Sequence, residues 1–286
     1  MASDKLKISA TPNLAGGRMV LAFSGWMDGG EVSTGTVSRL VEKLDAQPIA
    51  EIEPDGFYIY NFPGAMEVSA MFRPHVDIQN GLIKDFAPPK NRFYCDEEKK
   101  LAFFVGKEPN LNWQEFGDCI FNLTSQLGVN RIYFVGSFGG TVPHTREPRL
   151  YATVSDQRLL QFMRDCGVRF TNYEGPGSFV TYLMTESKCQ GLEMASVVAE
   201  IPGYLQGTNP VSIEVMTRRL AAILEVPVDL SELRDVSNEW ESRVSEEVEK
   251  NPELTEQVRE LEERYDDDLI DASTDRTDKE PDEAGE

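Results

Sequence analysis

Apolar positions in the first 228 residues recur with two periods, one suited to strands and one to helices. Residues 18–23 (Arg-Met-Val-Leu-Ala-Phe) form a nearly continuous apolar run that predicts a buried strand ending at Ser24 and Gly25. Residues 32–44 then carry Val37, Leu40, Val41 and Leu44 at helical spacing, until Pro48 stops the helix. Residues 49–52 predict a second strand, and strand, helix, strand is the unit that favours a parallel sheet. Residues 92–95 and 101–105 flank the polar run 96–100, which predicts a hairpin set into that scheme. Residues 113–127 read as an amphipathic helix closed by Gly128, and residues 131–135 as a mid-sheet strand. Helices are expected at 155–166, 178–190 and 211–224, with a strand at 192–201. The fold class is therefore α/β: a single doubly wound, mostly parallel sheet over residues 1–228, ended by Pro227.

Beyond that point the pattern becomes purely helical. Leu230, Leu233, Val236 or Ser237, Trp240, Val244 and Val248 recur every three to four positions. Asn251 and Pro252 start another helix as N-cap and first-turn residue, and Leu254, Val258, Leu261 and Tyr265 continue the stripe. Residues 229–265 thus read as an acidic helical pair packed on the core or on a twin subunit. Residues 266–286 are acidic with few apolar positions, and are expected to be disordered.

Charge sharpens this division. The chain has 286 residues and a net charge of −21. Residues 229–264 hold thirteen acids against five bases, and residues 265–286 hold ten against two, so the body is close to neutral. Such a surface repels nucleic acid, and no basic stripe offsets it. No apolar run reaches the ~20 residues of a membrane span, and residues 1–10 lack a signal-peptide core, so a cytoplasmic location is expected. The cysteines at 95, 119, 166 and 189 are widely spaced, without a Cys-x-x-Cys pair, and are expected to be buried apolar fillers. His75 and His144 are the only histidines, too few for a multi-histidine zinc site. No cofactor and no metal is expected.

Three glycine-rich loops adjoin strand or helix ends, where open α/β sheets bind ligands. The first contains Ser24, Gly25, Trp26, Met27, Asp28, Gly29, Gly30 and Glu31. It can be a ligand cradle with Asp28 as acid or base, or a helix start with Asp28 as N-cap and Glu31 completing a capping box. Two carboxylates at a helix N-terminus disfavour a nucleotide there.

The second loop holds Gly136, Ser137, Phe138, Gly139, Gly140, His144, Arg146 and Arg149. A Ser137 nucleophile with His144 as base is disfavoured on three counts. Val135 stands where the nucleophile elbow needs glycine, Pro143 interrupts the helix that should follow, and no histidine lies further downstream. Two readings remain: an anion cradle of backbone amides with Arg146 or Arg149, or a structural loop held by internal bonds. The third loop, Tyr173, Glu174, Gly175, Pro176, Gly177 and Ser178, opens a helix, but Val180 replaces the third glycine of a dinucleotide fingerprint. A fourth junction, 201–210, presents aromatic and amide groups. The loops suggest a crevice and identify no reaction or catalytic residue.

Taken together, residues 23–30, 136–148, 173–178 and 201–204 resemble the proteasome assembly chaperone 2 family, specifically its bacterial members, from about residue 18 to residue 265. The resemblance implies a phosphorylase/hydrolase-like α/β fold that self-associates, with a trimer as one candidate state, and that chaperones proteasome assembly in eukaryotes. Binding in that family often uses a C-terminal hydrophobic–tyrosine–any-residue end. This sequence finishes Asp282, Glu283, Ala284, Gly285, Glu286, so tail-mediated docking on a proteasome is not expected. The expected function is non-catalytic and partner-binding, through a protein partner or self-association. The alternative is a small-molecule binder or hydrolase/phosphorylase-like enzyme using the crevice between the loops.

Overall fold

A computed structural model describes residues 4–277. In chain order the elements are strand β1 (Leu6–Ile8), β2 (Arg18–Ser24), helix α1 (Val32–Lys43), β3 (Gln47–Ile52), α2 (Met66–Ala70), β4 (His75–Gln79), β5 (Leu82–Ala87), β6 (Asn91–Asp96), β7 (Leu101–Lys107), α3 (Trp113–Leu127), β8 (Arg131–Gly140), β9 (Leu150–Val154), α4 (Arg158–Asp165), β10 (Arg169–Phe170), α5 (Phe179–Cys189), β11 (Glu193–Pro202), α6 (Pro210–Leu224), α7 (Ser231–Glu249) and α8 (Pro252–Thr277).

Nine strands form one sheet in the order β1-β3-β6-β7-β2-β8-β11-β9-β10. Its centre, β7-β2-β8-β11, is parallel throughout. Antiparallel pairs flank it on both sides, at β1-β3, β3-β6, β6-β7 and β11-β9. The hairpin expected over 92–105 is β6-β7. The second strand of the expected βαβ unit, β3, does not lie beside β2, because β6 and β7 occupy the space between them.

Alternation through the pleat explains the two faces. Met19, Leu21 and Phe23 of β2 point to one core with Ile132 and Phe134 of β8. Val20 and Ala22 point to the other with Tyr133 and Val135. Helices α3 and α5 cover the first face, while α1, α4 and α6 cover the second. The first core is built on aromatic edges: Phe116 meets Phe57 at 4.9 Å and Phe179 at 5.5 Å between ring centroids, both T-shaped.

The tail helices lie against this body. Leu230, Leu233, Ser237, Val248, Val258 and Tyr265 are buried, whereas Val236 is exposed. Asn251 caps α8 by accepting the Glu253 and Leu254 amides at 3.1 and 3.3 Å. Helix α8 runs on to Thr277. The disordered tail is expected from residue 266, whereas α8 continues through residues 266–277, with Arg146 and Arg149 paired to Asp266 and Asp268. Residues 278–286 of the expected tail lie outside the described residues. The cysteine expectation also divides, with Cys95 and Cys119 buried, Cys166 half-buried and Cys189 exposed. Among the described residues no helix is long and apolar enough to cross a membrane, and no group of three His, Cys, Asp or Glu side chains is placed to hold a metal ion.

Candidate functional site

The parallel centre of the sheet sets the carboxyl ends of β7, β2, β8 and β11 side by side, so the segments that follow them become neighbours. Helix α1, after β2, covers one face, and α3, after β7, covers the other. The strand pair β2-β7 is therefore the topological switch point, the place where open sheets form their crevice.

Glu108, just past β7, sits at that point. Its carboxylate accepts the Trp26 amide at 3.1 Å and the Phe179 amide at 3.0 Å. One side chain thus joins the first loop to the start of α5, where the third loop ends. A negative charge at that helix N-terminus also faces the positive end of its dipole. Ser178 caps the same helix by accepting the Thr181 amide at 3.2 Å. Glu174, Gly175 and Gly177 stay exposed on the loop's outer surface.

The first and second loops join through Ser137. Its amide donates to Met27 O at 2.9 Å, and its hydroxyl donates to Gly29 O at 2.6 Å. A single parallel bridge pairs it with Asp28. Gly30, at φ 63°, fits against the fourth junction: an added Cβ would lie 2.8 Å from Asn209 Cβ, and the Asn209 amide donates to Gly30 O at 2.9 Å. Gly25, at φ 135°, lies against the Glu108 side chain. Gly136 leaves room for the Phe134 ring, Gly139 packs against Gly203, and a Cβ at Gly140 would overlap the Glu200 side chain. The three loops form one cluster, together with the fourth junction. Trp26 projects from it, 72% exposed.

Asp28 caps the helix, but not by the expected capping box. Its carboxylate accepts the Thr34 amide at 3.1 Å and the Thr34 hydroxyl at 2.7 Å. Glu31 adopts a left-handed conformation (φ 56°) and turns its carboxylate away to the Thr208 hydroxyl at 2.7 Å. It therefore closes no box with Asp28. Burial pushes the Asp28 carboxyl up to about 6, against the pull of the Thr34 bonds.

In the second loop, His144 is buried. Its ring Nδ1 lies 2.7 Å from the Tyr204 hydroxyl and its Nε2 lies 3.1 Å from the Ser245 hydroxyl on α7. Burial lowers its pKa, opposed by Glu262. Ser137 and His144 make these separate contacts and form no nucleophile–base pair. Arg146 grips Asp266 through two nitrogens at 2.9 and 2.8 Å and also reaches Glu262. Arg149 pairs with Asp268 at 2.8 Å and with buried Glu200 at 3.5 Å. Arg146 and Arg149 thus pair with carboxylates of the chain itself, as internal salt bridges.

A family model described as the PAC2 family matches residues 22–248. The chain belongs to the PAC2 family. No curated protein matches its sequence. Among solved structures, a Mycobacterium tuberculosis proteasome-assembly chaperone homologue is 26% identical with a TM-score of 0.72, covering 84% of this chain and 99% of that one. A PAC2 family protein from Streptomyces avermitilis is also 26% identical, with a TM-score of 0.70 and the same coverage. A second Mycobacterium tuberculosis protein, of unknown function, reaches a TM-score of 0.82 at 22% identity, covering 97% of this chain and 94% of that one, and shares the fold.

In this PAC2 chain the residues that the loop motifs did not mark are Glu108, Glu200 and the acids of α8. Glu108 follows directly on a buried strand, which is the one sequence signal that could have found it. Glu200 is a lone carboxylate within the apolar run of β11, where a buried charge requires a partner. It accepts the Thr141 amide at 2.7 Å besides pairing with Arg149.

Proposed function

We propose that this PAC2 protein is a non-catalytic, assembly-chaperone-like protein that works by docking protein surfaces, beginning with a second copy of itself. The observation that carries the reading is the arm between β3 and β6. Among the described residues, ten of the seventeen large apolar side chains left exposed fall between Tyr60 and Phe86. Met66 on α2 is 80% exposed and Ile83 on β5 is 71% exposed. Among the described residues, strands β4 and β5 pair only with each other. A lone two-stranded hairpin is marginal in water, and contiguous exposed apolar surface marks an interaction site. Residues 60–87 carry three acids against two bases, so the arm is almost free of the acidity that makes copies of this chain repel each other. Ten such side chains offer roughly 1,000 Å² per copy, comparable to one side of a standard interface.

The glycine-loop cluster supports the same reading from the other side. Ser137, His144, Asp28 and Glu108 all bond within the chain. The proteasome-assembly chaperone homologue among the related structures makes protein assembly the class of activity to test first.

The test is light scattering of the full chain beside an Ile83→Asp/Phe86→Asp variant. A defined oligomer that falls to monomer in the variant supports the reading. Equal masses for both proteins overturn the arm as the docking surface.

A further inference from the structure

The loop running from Gly140 to Arg149 presents a cationic face that is filled rather than free. Arg149 is the centre of it. Its guanidinium carbon lies 4.4 Å from the centroid of the Tyr265 ring, its Nη2 meets Asp268 and its Nη1 faces Glu200. The side chain is more than nine-tenths buried, and among the described residues its Nε has no hydrogen-bond partner. Arg146 takes Asp266, the Thr145 hydroxyl takes Glu262, and the Tyr265 hydroxyl donates to Glu147 O at 2.9 Å. Four α8 residues (Glu262, Tyr265, Asp266 and Asp268) thus enter a complementary set on the loop. They fall on successive turns of the helix, which makes the match one between a face and a surface.

The buried part of the hold on α8 comes from Val258, Tyr265 and Arg149. Its charged contacts outside Arg149 are half-exposed pairs, each worth ~0–1 kcal/mol and screened by salt. The helix carries ten acids against three bases and α7 seven against two, so the pair shares a negative excess. A site of this composition, closed by a segment of the same chain, presents the chemistry that a second segment of the same kind would meet.

We propose that the Arg146–Arg149 face is a binding site for an acidic, tyrosine-bearing helical segment of a partner protein, and that α8 keeps it closed until such a segment displaces it. The site is separate from the apolar arm, so it can stand or fall independently of that docking surface.

The test uses the full chain and a fluorescein-labelled peptide copying its residues 252–271 as probe. Binding is followed by anisotropy, and exposure of α8 by hydrogen exchange. The triple variant Glu262→Gln/Asp266→Asn/Asp268→Asn opens the site, because it removes the carboxylates that close it. It should bind the probe at least tenfold more tightly than the parent chain, since a site open only part of the time loses apparent affinity by that fraction. Adding Arg146→Glu to the triple variant should abolish binding, as should Tyr265→Ala in the probe. Raising the salt should weaken binding. Equal probe affinity for parent and triple variant overturns the proposal. So does a triple variant whose α8 amides exchange freely but which binds no probe. A triple variant whose α8 amides stay protected overturns it too, because those carboxylates would then not be what closes the site. Melting curves of each variant exclude loss of the body fold as the cause.

Discussion

The phenol of Tyr265 lies across the guanidinium of Arg149, 4.4 Å from ring centroid to guanidinium carbon, and ties a tail helix to a loop more than a hundred residues earlier. Tyr265 is buried and its hydroxyl reaches Glu147 O. Tyr265→Ala removes the ring contact, the hydrogen bond and the burial together, and should weaken α8 docking by about 3 kcal/mol. Tyr265→Phe keeps the ring and should cost about 1 kcal/mol. Hydrogen exchange reads this directly: α8 amides lose protection in the alanine variant, while those of β2 and β8 hold theirs. Equal loss in both regions would show that α8 is cooperative with the sheet and not a separate unit.

Glu108 links two loops that share no contact by sequence. Glu108→Ala leaves the Trp26 and Phe179 amides without their acceptor, at a cost of about 2 kcal/mol. Exchange at these two amides should quicken together by a similar factor. Acceleration at only one of them would show that the carboxylate serves a single loop.

The pH dependence of stability carries a signature of Asp28. Its folded pKa of about 6 stands above the ordinary 3.8, so the native state holds the proton more tightly than the unfolded chain. Its contribution is favourable below 3.8 and is lost as the pH rises through about 6. The full effect above that pH is about 3 kcal/mol. Asp28→Asn keeps an acceptor for the Thr34 amide and removes the ionisation. The variant should therefore gain on the parent chain between pH 4 and pH 7, in denaturant titrations at each pH. His144 works in the opposite sense: its pKa is lowered, so its contribution fades as the pH falls below 6.5. It is common to both proteins and cancels in their difference. A constant difference across that range would rule out Asp28 as the titrating group.

What could be read from the sequence was the part governed by local period. The central strands and all the helices that face the core announced themselves because burial on one or both faces imposes a pattern. The Gly128 cap and the Asn251–Pro252 junction were legible for the same local reason. The pair β4-β5 was not, since its apolar side chains face outward and impose no core pattern. Strands β1 and β10, with three and two residues, are too short for any period to appear. The site was half legible. Gly30, Ser137, Arg146 and Arg149 stood out by residue type, but their partners come from the strand order and from a helix 116 to 120 positions away. Glu31 misled, because the spacing of a capping box is visible in sequence and the left-handed turn that defeats it is not.

The ends of the sheet carry a further consequence. One outermost strand, β1, is three residues long and carries Lys7, which lies 3.7 Å from Glu53; the other, β10, is two residues long. Neither offers enough unpaired backbone to template a ladder with another chain, and a charged lysine guards the first. The rims of the nine-stranded sheet are therefore closed to strand addition, and the unpaired strand edges of the protein are those of the β4-β5 hairpin among the described residues.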